Sequence, residues 1–132
     1  NELAGHLHVG VHQGVEVTDG PSSPGPRVTQ VFCSALPVAY GRWPQPLWQE
    51  FAQLILDAAY EATLLAGVLN SRQGGSNIVL LTLLGGGAFG NASEWIHTAI
   101  QRALDKTQVH GLDVRMVSYG QPSAQLQALV EL

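Results

Sequence analysis

The segment from Ile78 to Ile100 constrains this chain most. Ile78-Val-Leu-Leu-Thr-Leu-Leu84 is a nearly continuous apolar run of strand length, and a run that does not alternate is the pattern of a strand buried on both faces, as in parallel sheets. Gly85-Gly86-Gly87-Ala88-Phe89-Gly90 follows at once. Beyond it Trp95, Ile96, Ala99, Ile100, Ala103 and Leu104 recur in adjacent pairs at helical spacing, which predicts a helix over 92–108 with Asn91 or Ser93 as N-cap. Strand, glycines and helix in that order build an anion pocket. Glycine lets the backbone turn tightly and approach a ligand, and the helix aims its free N–H groups at the same place.

Around this junction the chain alternates strands and helices. His6 to Thr18 reads as an extended, Val-rich element interrupted by Gly10 and Gly14, and Val28 to Leu36 as a strand stopped by Pro37. The turn formers from Asp19 to Pro26 join them in a loop. Leu47 to Leu69 is the longest helical pattern: Gln49, Glu50, Gln53, Asp57 and Glu61 fall on one narrow stripe and the remainder is mostly apolar, so only that stripe is expected to be wet. A strand over 112–119 and a short helix opened by Pro122 and Ser123, with Leu126, Leu129 and Val130 inward, complete the order. The expected fold is a single α/β domain, a three-layer α/β/α sandwich on a largely parallel sheet.

Composition narrows the function. The 132 residues are 45% hydrophobic and only 12% charged, against roughly 25% charged in an ordinary soluble domain. A chain of this kind folds around a large core, and some of its surface is expected to meet a second copy or an absent N-terminal portion. Six scattered basic residues against ten acids form no phosphate-tracking face, which argues against nucleic acid as a partner. Uninterrupted apolar runs stay short of about 18 residues, so no membrane span is expected. One cysteine, Cys33, within a strand, reads as a buried inert thiol and fits a reducing, cytoplasmic setting. His6, His8 and His12 would share a face of one continuous strand, but no carboxylate in phase completes a metal set. The chain opens Asn1-Glu2-Leu3 without Met or a leader, which reads as a piece of something longer.

Two nucleotide motifs fit the glycine loop poorly. Gly85-x-Gly87-x-x-Gly90 has the spacing of a dinucleotide fingerprint, yet the next strand ends at Ser118-Tyr119-Gly120 with no acid for a ribose. A phosphate loop of the Walker type needs Lys and Ser or Thr where Asn91-Ala92 stands.

The same residues resemble the macrodomains, a family that binds ADP-ribose. Gly85 to Gly90 has the shape of the family's second loop. Gly14-Val-Glu-Val-Thr18, then Val31 to Pro37 with Tyr40, resemble its Gly-x-x-x-Thr segment and following strand. Ala58-Ala59-Tyr60-Glu61-Ala62-Thr63-Leu64 is similar to its Ala-Tyr-x-x-Ser-Leu helix, and Val117-Ser118-Tyr119 to its last strand. The resemblance covers roughly 14–132. It implies that Gly85, Gly86, Gly87, Ala88, Phe89, Gly90 and Asn91 cradle a diphosphate, that Phe89 packs on the distal ribose, and that Ser118 and Tyr119 border the adenine. Pro37 and Tyr40, with Trp43, would wall the same pocket. The family's Gly-Asp-Ile-like strand and its Asn-Ala-Asn segment find no counterpart in 1–13, and Leu36 and Asn91 replace a glycine and an apolar residue. Those differences imply binding without ADP-ribosyl hydrolase activity and without a cofactor. The competing expectation is a self-associating assembly domain whose glycine loop only packs.

Overall fold

The computed structural model describes residues 2–131. A short 3-10 turn over Glu2–His6 leads into an antiparallel pair, β1 (Gly10–Glu16) and β2 (Arg27–Phe32), in which Gly10 faces Phe32 and Glu16 faces Arg27. Two more 3-10 turns, Val38–Tyr40 and Gln45–Trp48, carry the chain to α1 (Gln49–Arg72). Then follow β3 (Ile78–Leu81), α2 (Ser93–Thr107), β4 (Asp113–Met116) and α3 (Ala124–Val130). β3 and β4 pair in parallel, with Ile78 opposite Asp113 and Leu81 opposite Met116, and α2 is the crossover between them.

The core lies where α1, α2 and the inner face of β3 meet. Leu56, Leu64, Ile96 and Ile100 are its fully buried large side chains, each worth about 1.5–3 kcal/mol of apolar burial. Ion pairs clip the wet side of the α1–α2 seam: Arg102 to Asp57 at 2.7 Å and Lys106 to Glu61 at 2.5 Å. The carboxylate stripe expected to face water is thus the edge along which the two helices are joined.

The expectation of a three-layer α/β/α sandwich on a largely parallel sheet is overturned. Among the described residues there are two separate two-stranded sheets, and only β3–β4 is parallel. β2 and β3 both lie on α1 but no ladder joins them. A cavity of about 490 Å³ separates them, floored by Thr63, Ala66, Gly67 and Asn70 of α1. β3 is not buried on both faces either. Val79 and Leu81 point into the core while Ile78 is 42% and Leu80 64% exposed, the alternation of a sheet covered on one side only. A continuous apolar run carries the same text whether or not a second helical layer exists, and here the second layer is absent among the described residues.

Several boundaries move as well. The strand expected over 28–36 ends at Phe32, after which Ala35 and Val38 turn into the core. Cys33 lies just beyond that strand, half-buried, with Sγ 3.9 Å from Thr63 Oγ1. Residues 45–72 form one continuous helical stretch with mean hydropathy 1.3 in its most apolar window, long and apolar enough to cross a membrane, with 33% of that window buried in the fold. The stretch is not an uninterrupted apolar run, because Glu50, Gln53, Asp57 and Glu61 lie within it, and the core helix of a soluble protein passes the same test of length and composition.

Candidate functional site

β3 ends at Leu81, and the chain takes eleven residues, 82–92, to reach α2. The start of this loop is tied to α1 by one buried side chain. The Tyr60 hydroxyl donates to the Thr82 carbonyl at 2.7 Å and accepts from the Leu84 amide at 2.8 Å. Burial pushes the Tyr60 hydroxyl up to about 12, the Leu84 amide drawing it partly back.

The end of the loop is tied by Asn91, only 5% exposed. Its Nδ2 donates to the carbonyls of Leu36 at 2.8 Å and Gly85 at 3.2 Å, and its amide returns to Gly85 at 3.0 Å. Asn91 Oδ1 finds no donor among the described residues. Gly85 has φ +78°, and a Cβ there would overlap that of Ala35; the loop closes over Asn91 only because the position is glycine. Ala39 donates to the Phe89 carbonyl at 2.9 Å, and Gln45 Nε2 to the Gly90 carbonyl at 2.6 Å. The loop is held at both ends and along its far side.

Between these ties the outer arc keeps its donors. The amides of Leu84, Gly86, Gly90 and Asn91 are spent on bonds inside the loop, whereas those of Gly85, Gly87, Ala88 and Phe89 donate to no acceptor among the described residues. α2 begins immediately after, at N-cap Ala92, with no side-chain cap; neither Asn91 nor Ser93 caps it. The positive end of the α2 dipole follows this arc directly in the chain, with Glu94 in its first turn, and open backbone N–H groups and a helix N-terminus each attract anions.

Pro37 and Tyr40 reach this loop. Pro37 precedes the 3-10 turn whose Ala39 bonds Phe89, and the Tyr40 and Phe89 rings meet edge to face with centroids 6.0 Å apart. Pro37, Tyr40 and Trp48 line a small apolar cavity of about 220 Å³ alongside. Trp43 stays exposed, its carbonyl accepting from Trp48 Nε1 at 3.3 Å. Ser118 and Tyr119 follow β4, whose end lies beside the end of β3, the Val117 amide donating to the Leu81 carbonyl at 2.7 Å. Ser118 lines a separate cavity of about 540 Å³ between β4 and α3, and Tyr119 is fully exposed. His6 sits in the first 3-10 turn and His12 in β1 against Phe32, so the three N-terminal histidines share no strand. Among the described residues no His, Cys, Asp and Glu group converges as a metal site.

Two site residues escape a reading of spacing alone. Tyr60 looks like one more apolar position of α1, and Gln45 like a loop polar residue; both act on backbone carbonyls distant in sequence. No family model, curated protein or solved structure matches the chain.

Proposed function

We propose that the β3–α2 loop binds the diphosphate of a nucleotide of the ADP-ribose class, without cleaving it. One observation carries this reading: the amides of Gly85, Gly87, Ala88 and Phe89 stand unpartnered on a loop whose path Tyr60, Asn91 and Gln45 already hold. Donors fixed before the ligand arrives cost little ordering when it does. The diphosphate oxygens accept from these amides, and the α2 dipole adds to the attraction. The Tyr40–Phe89 pair offers an apolar wall beside the phosphates for the sugar. No loop residue carries charge, so recognition rests on backbone dipoles and geometry. The reading rests on this loop and its resemblance, not on the sandwich fold corrected above.

Calorimetric titration of the full chain with ADP-ribose tests it. The expected result is a saturable heat that Gly87→Glu abolishes. A Cβ at Gly87 meets nothing within 4 Å, so the substitution adds a negative charge at the arc without disturbing the fold. Absence of heat at millimolar ligand, or unchanged binding by Gly87→Glu, overturns the proposal.

A further inference from the structure

α1 has a second apolar face. Its core side carries Leu56, Tyr60 and Leu64. On the opposite side Leu47, Phe51, Ala58, Ala62, Leu65 and Leu69 recur at intervals of three, four and seven, one helical stripe. The four large side chains of this stripe are between 45% and 72% exposed. The first 3-10 turn rests near α1 but leaves its own Leu3 exposed and does not seal the stripe.

The chain as a whole also exposes more surface than a folded monomer of its mass, so there is area for a partner to cover. A folded monomer of 14.0 kDa exposes about 6,700 Å² by the usual mass scaling, and this chain exposes 8843 Å². The excess, about 2,100 Å², is more than the roughly 800 Å² that each partner buries in a standard interface.

We infer that a second copy of this chain covers the stripe, in an antiparallel two-fold dimer centred on Ala58. The pattern is self-complementary about that residue. Reversing the helix around Ala58 sets Leu47 against Leu69 and Phe51 against Leu65, while Ala58 meets its own counterpart where the axes come closest. A two-fold contact requires this reciprocity, and small residues at the crossing permit the 8–10 Å approach of packed helices. A lipid surface fits less well. Interfacial helices flank their apolar face with Lys and Arg, whereas Glu50, Asp57 and Glu61 outnumber Arg72 on α1 and the chain carries a net charge of −4.

Light scattering on the full chain is expected to give about twice 14.0 kDa. Leu47→Lys and Leu69→Glu should each halve that mass, and the double variant, which pairs the new charges across the two-fold, should restore it. Circular dichroism confirms that each variant is folded. Cys33→Ser/Ala58→Cys should form a covalent dimer on mild oxidation, which reads out the register directly. A wild-type chain that stays monomeric, a dimer indifferent to both single charges, or a monomer that floats with phosphatidylcholine vesicles overturns the inference, the last in favour of a membrane.

Discussion

Tyr60→Phe removes one oxygen and nothing else from the junction of α1 with the loop. The hydroxyl is buried and makes two bonds, to the Thr82 carbonyl and from the Leu84 amide. The Leu84 amide also donates to the Thr82 carbonyl directly, at 3.0 Å, so the two backbone groups keep each other when the hydroxyl goes. The loss therefore falls near the low end of the range for buried hydrogen bonds, about 1–2 kcal/mol. In a domain of this size it corresponds to a fall in Tm of about 3–10 °C. Alkaline pH separates this role from ordinary packing. The Tyr60 hydroxyl is raised from 10.0 to about 12, so between those values the unfolded chain has released its proton while the folded chain still holds it. Stability is thus intact below pH 10 and declines as pH rises through about 12. The decline amounts to about 2–3 kcal/mol. Phenylalanine has no such proton, so the two stability curves should cross near the middle of that window, with the variant the more stable above it. Urea unfolding followed by circular dichroism across the window measures this. Parallel curves for wild type and variant would refute the burial argument.

Three other substitutions probe the loop and the helix seam. Gly85→Ala forces an L residue to φ +78° and overlaps Ala35, and should cost about 2–4 kcal/mol in thermal melts, whereas Gly87→Ala should stay within about 0.5 kcal/mol. Asn91→Ala removes one of the two donors to the Leu36 carbonyl, the Val38 amide at 2.9 Å remaining, and should cost about 1–2 kcal/mol together with faster amide exchange across the loop. Arg102→Ala breaks a pair whose arginine is largely exposed; the loss should be below about 1 kcal/mol and should fade in high salt.

How much of this was legible in the sequence depended on whether the signal was local. The paired apolar residues from Trp95 to Leu104 placed α2 within a residue or two, because a helix reports its own period. α3 opens after Pro122 and Ser123, with Ser123 as its N-cap accepting from the Leu126 amide at 3.2 Å, and Leu126 is buried as expected; Val130, expected inward, is exposed. β3 misled because Ile78 and Leu80 are apolar yet unpartnered, and an exposed apolar residue is indistinguishable in text from a buried one. The sandwich expectation inherited that error. At the site, the glycines announced a tight turn, and Gly85 makes one at φ +78°. Asn91 is an N-cap candidate by its place before the helix, but its side-chain amide turns inward to Leu36 and Gly85 and α2 has no side-chain cap. Tyr119 follows the end of β4 beside the end of β3, with its ring fully exposed.

The open arc of the loop is the claim on which the functional reading stands. Amide spectra of the nitrogen-labelled chain, recorded as ADP-ribose is added, address it residue by residue. The resonances of Gly85, Gly87, Ala88 and Phe89 are expected to move together and saturate, while those of Gly86, Gly90 and Asn91, already bonded within the loop, move less. Loop resonances that stay still at millimolar ligand, or shifts centred on Ser118 and α3 instead, would contradict it.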